Sequence, residues 1–571
     1  MKTWISRLVF SLLLGCCLVW LLPALLIQVL DYDHLLQYAV QTLHRPDLES
    51  TLRNRFFTVS KFAALRVALP GMALAGLGAA VVVWRRKERI LHHISGYLQW
   101  CVAVWQSLNG TWRQTGATTR WLMRVLLLLL AARSAYYATT WLVQYDEAWN
   151  YNYFLGQKWW YSIVAYNNYP LHNLLAWPLV KLLPGATTPA MRLPGILAGL
   201  VGCYSVFILS RRLWQNEQLS LLCSALFACL PVSVFYMLYA RGVMLEIMFA
   251  LPLTYLTIRA LQQPMSRNMM FSFVVLQALG TYSMLSHPYF IAFSGLALVG
   301  APLFRGRTQR LSYALLVVLS IAAGLLLLVP VMMGTGLGPG LQVAAGQHQH
   351  IGLSLLPGEI EKTARFITGY RYAFYLLAIL NLLALRHSNR QVRATAIVNL
   401  CLLVSPVCIP LLTHTLPPER ALAFLVVVPV FTTGMVLHLL PGRLPAYAYL
   451  PGTVFLVVLL SWKSHTHGYL NWSRKKDKAA QETAQLLIQQ QVRTVYNDCA
   501  AMSYYLPAIE YYYRLQQQPI TFYSSDPAST RYAPLPAAAG FDVTATCCID
   551  STIIPPQLLT RFYGVCLTRN H

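Results

Sequence analysis

Apolar runs of about twenty residues recur along this chain, and a stretch of that length with almost no charge can be satisfied only as a helix crossing a bilayer. Candidate spans lie near residues 8–30, 63–84, 121–143, 192–213, 218–238, 243–262, 269–285, 288–304, 311–333, 370–385, 394–414, 420–440 and 445–462. Only 11% of the 571 residues are charged and 57% are hydrophobic, which excludes an ordinary water-soluble globule. The expected fold is therefore mainly α, a polytopic membrane protein of about thirteen transmembrane helices. The opening "MKTWISRLVFSLLLGCCLVWLLPALLIQVL" has the form of a signal sequence, and Leu14-Gly15-Cys16 has that of a lipoprotein cleavage box. Its apolar run continues to Leu30, past any such cleavage point, so it is read as a retained anchor starting in the cytoplasm.

Basic residues outnumber acidic ones, 44 to 19. They sit in short clusters between apolar runs, not in a basic stripe with interleaved aromatics, so nucleic acid is not an expected partner. The clusters "RRKER" (85–89), "SRR" (210–212), "RGRTQR" (305–310) and "RHSNRQVR" (386–393) fall on one side of the map, which the positive-inside rule makes cytoplasmic. The other side receives the loop after Val143, the Arg241 turn, the His287 turn, the loop 334–369, the "LPPER" turn and the C-terminal tail.

Three regions follow. Residues 1–120 hold an N-terminal helix pair and an amphipathic stretch, 92–120, suited to lying on the inner membrane surface. Residues 121–462 form the transmembrane core, with the outer loop 144–191. Residues 463–571 are less apolar, and "VRTVYNDCA", "SYYLPAIEYYYRL" and "PITFYSS" read as strand, helix, strand, so a small extracytoplasmic α/β domain is expected. Its four cysteines, Cys499, Cys547, Cys548 and Cys566, permit disulfides in an oxidising compartment, with the pairing open. The remaining eight lie in or near apolar helices as packing residues.

The outer loop carries the densest chemistry. "QYDEAWNYNYFLGQKWW" sets Asp146 and Glu147 side by side at a helix end, and the loop closes on "YNNYPLHNLLAWPL" with Tyr169 and His172. Ionisable groups at membrane depth are costly and mark functional cavities. "YARGVMLEIM" brings Arg241 and Glu246 to the same side, "MLSHPYFIAF" brings His287, and "LPPERALAFL" brings Glu419 and Arg420. Guanidinium groups offer a planar fork matched to phosphate oxygens, so Arg241 and Arg420 are expected to hold a lipid phosphate. Asp146 would take a proton from, or orient, an acceptor hydroxyl. Tyr169, His172, Glu246 and His287 are expected to contact substrate.

The run "YDEAWNYNYFLGQKWW…YNNYPLHNLLAWPLVKLLPG…MRLPGILAGL" resembles the C-type integral-membrane glycosyltransferase superfamily, the bacterial relatives of protein O-mannosyltransferases and lipid A aminoarabinose transferases. The resemblance covers roughly residues 121–440. It implies a glycosyltransferase, hexosyl or pentosyl, that draws a sugar from a polyprenyl-phosphate donor. Asp146 and Glu147 match the acidic catalytic motif, and Arg241 and Arg420 the phosphate-binding arginines. The acceptor is a glycan, a lipid or a protein, and the location is a bacterial inner membrane with the C-terminal domain in the periplasm. A helix pair with a polar hairpin precedes the usual first helix.

No cofactor is required by the sequence, though the superfamily admits a divalent cation, magnesium or manganese, on loop carboxylates. The pairs His348/His350 and His465/His467 read as solvated loops before metal ligands. No Walker loop or dinucleotide fingerprint occurs on a suitable element, which agrees with a donor already activated on lipid. The rival readings are a transporter or flippase of lipid-linked saccharides, which would carry midplane polar residues and inverted repeats, and an assembly subunit without activity.

Overall fold

The computed structural model describes residues 10–11, 14–15, 18, 21–43, 53, 58–164, 169–300, 307–335, 356–414, 416–439, 468–499, 502, 505–524, 541–547, 558–562 and 565–569. The chain divides into two compact units, one of Met1–Gly110, Val492–Ala500 and Ile520–His571, the other of Thr111–Gln491 and Ala501–Pro519.

In the first unit the helices are α1 (Leu21–Val29), α2 (Tyr32–Leu43), α3 (Val59–Arg85) and α4 (Lys87–Arg113). Gln28 of α1 donates to the Arg66 carbonyl at 2.6 Å, and Arg66 donates back to the Gln28 carbonyl at 3.3 Å, tying α1 to α3. No side chain of α4 is buried, as suits a helix whose apolar flank needs lipid. The amphipathic stretch expected at 92–120 is thus the end of one helix and the start of the next. The same unit carries five strands, β1 (Thr494–Asp498), β2 (Thr521–Ser524), β3 (Val543–Cys547), β4 (Leu558–Phe562) and β5 (Val565–Arg569), in the order β2-β1-β3-β5-β4. Strand β1 runs parallel to β2 and β3, while β5 is antiparallel to β3 and β4. Cys499 and Cys566 are both engaged in disulfides.

The second unit opens with α5 (Ala117–Thr140), the short α6 (Tyr145–Asn150), a π turn (Tyr151–Leu155), α7 (Tyr161–Val164), α8 (Pro170–Leu182), a 3-10 turn (Pro184–Ala186) and the long α9 (Thr187–Trp214). Then follow α10 (Glu217–Cys229), α11 (Pro231–Met237), α12 (Val243–Gln262), α13 (Arg267–Ser283), α14 (His287–Gly300) and α15 (Arg307–Thr335). After them come α16 (Leu356–Thr368), α17 (Ala373–Ala384), α18 (Arg390–Leu403), α19 (Ser405–Thr413), a 3-10 segment (Glu419–Val426) and α20 (Val427–Leu439). The unit ends with α21 (Gly468–Gln489) and α22 (Leu506–Leu515). Strand, helix, strand is therefore the order of elements from 494 to 524, as the sequence pattern predicts.

Among the described residues seven helices are long and apolar enough to cross a membrane, or nine if each of two bent pairs is one span. One predicted span is broken, and a second bend precedes the helix of the predicted span 370–385, after a helix in the stretch 334–369 expected as loop. The run 218–238 bends by 63° between α10 and α11, because Pro231 cannot donate to the turn before it. The second bend, 88° between α16 and α17, passes through Gly369 at φ +81°, a backbone conformation open to glycine. The predicted spans 269–285 and 288–304 are helices of 17 and 14 residues. The span predicted at 445–462 lies outside the described residues, as does part of 8–30.

Burial separates interior from perimeter. Of the apolar window in Glu419–Leu439, 72% is inside the protein, against 22% in Ala117–Thr140, so the first is core and the second turns its flank outward. Inside the bundle, polar side chains link helices. Asn381 donates to Thr432 Oγ1 at 2.8 Å, and Asn399 donates to Thr432 at 3.0 Å and to Asn381 Oδ1 at 3.1 Å, joining α17, α18 and α20. Interhelical hydrogen bonds of this kind contribute about 0.6 to 2 kcal/mol each. Asn381→Ala should lower unfolding stability in detergent by about 1 to 2 kcal/mol, measured by denaturant titration; an unchanged midpoint would mean the trio adds nothing.

Candidate active site

Leaving α5, the chain turns at Trp141–Gln144 and begins α6 with two acids in its first turn, where the helix dipole favours negative charge. Consecutive helical positions point in different directions, and the two carboxylates have different surroundings. Glu147 is wholly buried. Its Oε1 accepts Nε of Arg192 at 2.9 Å and the Ala240 backbone N–H at 2.9 Å, and its Oε2 accepts Nη2 of Arg192 at 2.6 Å and the Gln144 N–H at 3.1 Å. Arg192, itself without exposed surface, spends its remaining donors on the carbonyls of Ala138, Trp141 and Leu142 at 3.2, 2.8 and 2.9 Å. It thereby satisfies the orphan carbonyls at the end of α5.

The turn between α11 and α12 is locked to the acidic helix from both sides of Ala240. Its N–H goes to Glu147, and its carbonyl accepts Asn150 at 3.3 Å. Asn150 and Asn173 exchange two carboxamide bonds, at 2.8 and 2.9 Å, which fixes α8 to α6. Close approach of the backbone is enforced at Gly242, where a Cβ would stand 1.9 Å from the Ser283 carbonyl oxygen and 3.1 Å from Tyr169 Cβ.

With Ala240 fixed, its neighbours Tyr239 and Arg241 both reach Asp146. Arg241 Nη2 pairs with Asp146 Oδ1, and the Tyr239 hydroxyl donates to Asp146 Oδ2 at 2.7 Å. Burial holds the Tyr239 phenol well above its ordinary range, so it remains a donor. The guanidinium Cζ lies over the rings of Tyr169 and Tyr239, 5.3 and 5.0 Å from their centroids. Asp146 keeps 30% of its side chain exposed and Arg241 only 7%, so the carboxylate is the part of the pair open to a ligand.

Glu246, His172 and His287 have no exposed surface. Burial drives His172 down to about 4, so it is neutral near pH 7. His287 contacts Gln277 Oε1 through Nε2 at 2.8 Å and brings Nδ1 to 3.4 Å from Glu246 Oε1. Arg420 is half-buried on the 3-10 segment, which packs against α11 and α12 on either side of the Arg241 turn. Its neighbour Glu419 pairs with Lys362 of α16 at 2.8 Å, while Arg420 makes no ion pair or hydrogen bond among the described residues.

Among the described residues no group of three or more His, Cys, Asp or Glu side chains is gathered, and the two histidine pairs lie outside them. The acidic pair does not fit a divalent cation. Glu147 has its oxygens filled by four donors, and Asp146 stands against a guanidinium that would repel one.

Sequence reasoning passed over Arg192, Tyr239, Asn150 and Asn173. Arg192 carried a signal, a charge at the head of an apolar run. Helix α22 also backs the loop: Asn152 donates to the Pro507 carbonyl at 2.9 Å, Tyr511 and Thr188 hydroxyls meet at 2.7 Å, and Tyr511 packs edge-on against Tyr151.

No family model matches the sequence, and no curated protein does. Solved structures do match. ArnT from Cupriavidus metallidurans bound to undecaprenyl phosphate superposes with a TM-score of 0.53 at 13% identity, covering 79% of this chain and 98% of that one. Its apo state gives 0.44 at 15% identity with the same coverage. The oligosaccharyltransferase AglB from Archaeoglobus fulgidus, in complex with an inhibitory peptide and a dolichol-phosphate, gives 0.42 at 11% identity over 69% of this chain and 64% of that one. At such identities the likeness to ArnT speaks to fold alone: the chain shares the fold of that protein.

Breaking a buried ion pair strands the other charge at a cost of about 3 to 5 kcal/mol. Arg192→Met should destabilise the protein by about that much, and adding Glu147→Met should recover part of the loss. Thermal unfolding in detergent measures both, and a loss under about 1 kcal/mol would deny the pair its structural role.

Proposed function

We propose that the chain is an integral-membrane glycosyltransferase that moves a sugar from a polyprenyl-phosphate carrier to an acceptor hydroxyl, with inversion at the anomeric carbon. The observation that carries this reading is the partly exposed Asp146 held between Arg241 and Tyr239 in a chain with the fold of a protein solved with undecaprenyl phosphate bound. The acceptor is a glycan, lipid or protein, and the reaction takes place at the extracytoplasmic side of a bacterial inner membrane with the N-terminus in the cytoplasm.

In the proposed step the acceptor oxygen forms a bond to the anomeric carbon as the bond from that carbon to the phosphate oxygen breaks. The electron pair of the broken bond stays on the phosphate, and the acceptor proton passes to Asp146. Arg241, and Arg420 on the adjoining 3-10 segment, are the cations for the polyprenyl phosphate that leaves. The rings of Tyr169 and Tyr239 contact the Arg241 guanidinium. Glu147 acts through Arg192 and Ala240 as a positioning residue, since its oxygens are already occupied. No step calls on a metal ion.

Asp146→Asn changes charge with little change of shape. It should reduce sugar transfer from undecaprenyl-phosphate-linked hexoses and pentoses by about 10²- to 10⁴-fold, with insertion and folding retained. Release of undecaprenyl phosphate from the labelled donors is the measurement, and full turnover by the variant would remove Asp146 as the base. Arg241→Ala should instead weaken donor binding, and unaltered affinity would take it out of the phosphate site.

A further inference from the structure

In the ligand-free site the proposed base and the proposed phosphate cation are bound to each other. Asp146 Oδ1 is held by Arg241 and Oδ2 by the Tyr239 hydroxyl, so each carboxylate oxygen already faces a donor. Arg241 is nearly buried and its Nε has no hydrogen-bond partner. A guanidinium presents several donors, and here Nη2 serves Asp146 while Nε, on the edge it shares with Nη2, has no partner. Its Cζ lies over the rings of both Tyr169 and Tyr239, contacts that favour the cation at this place. An anion reaching this guanidinium arrives beside the more exposed carboxylate, and two anions at contact distance repel.

We propose that Arg241 is a shared cation, paired with Asp146 in the empty site and taken over by the phosphate of the incoming lipid, while Tyr239 is the positioning residue that keeps Asp146 in place during the exchange. The inference rests on the glycosyltransferase reading. Donor binding would then release Oδ1 for the acceptor proton, and the base would be masked whenever no donor is present. Tyr239 fits its part because Ala240, next to it, has both backbone groups fixed by Glu147 and Asn150. Its hydroxyl therefore stays aimed at Asp146 whether or not Arg241 does.

The test is binding of undecaprenyl phosphate to the full chain in detergent, with inorganic phosphate as a headgroup without its tail. Removing the competing charge by Asp146→Asn should tighten undecaprenyl phosphate binding by about tenfold, and Asp146→Ala should shift it in the same direction. Inorganic phosphate should gain too, because the exchange is at the headgroup; a gain confined to the lipid would overturn the shared cation. Affinity equal to or weaker than wild type in both variants would overturn it as well. Absence of saturable wild-type binding would instead sink the donor reading, and this inference with it. Tyr239→Phe should lower kcat about tenfold or more while undecaprenyl phosphate affinity stays within about twofold of wild type. A fall in both together would reduce Tyr239 to a packing residue.

Discussion

The buried pair of Glu147 and Arg192 is the interaction on which the arrangement of the site depends. A buried ion pair is in general poor evidence of stability, since desolvation can exceed attraction. Here both ions sit in helix-end fields of the right sign, Glu147 at the start of α6 and Arg192 on the carbonyls that end α5. Each also fills its other hydrogen-bonding positions, so neither is left with an unmet demand in the interior. One contact thereby ties together the end of α5, the head of α9 and, through the Ala240 N–H, the turn before α12.

That fixation explains why two carboxylates stand side by side. Neighbouring helical residues diverge, so one acid can be spent on architecture while the next is presented to a ligand. Glu147 anchors the Tyr239-Ala240-Arg241 turn, and Asp146 meets the two side chains that this turn projects. Without the anchor, the distance between Asp146 and Arg241 would be set only by two loops.

Much of the architecture was legible because bilayer thickness acts directly on sequence. Apolar runs gave the spans, and the strand, helix, strand order from 494 to 524 followed from alternation and turn residues. The bends were harder to read: hydropathy averages over Pro231 inside the span 218–238, and the helix before Gly369 was taken as loop. Strands β3 to β5 escaped notice, though "VTATC" and "VCLTR" alternate in the way strands do. Asp146 and Arg241 were visible as charges at helix ends, and the structure brings the two together. His172, Glu246 and His287 showed the same signal and are wholly buried, a difference in depth that hydropathy around a helix end does not record. Tyr239 gave no signal at all, one tyrosine among 33, and only the fixed turn singles it out.

The charge balance of the proposed step favours one cation between two anions. Before transfer the site would hold the Asp146 carboxylate, the Arg241 guanidinium and a phosphodiester of charge −1. Afterwards it would hold a neutral Asp146, the same guanidinium and a phosphate monoester that has gained the negative charge. Net charge is unchanged, and what moves is the negative charge, from carboxylate to phosphate. In a medium of low dielectric, displacing charge over several ångströms is costly unless a fixed opposite charge lies along the path. Arg241, over the rings of Tyr169 and Tyr239 and in contact with Asp146, would be that charge. A second cation is needed only as the leaving phosphate becomes a dianion, and Arg420, half-buried on the 3-10 segment that packs against α11 and α12 and without an ion pair among the described residues, would be a candidate to meet it.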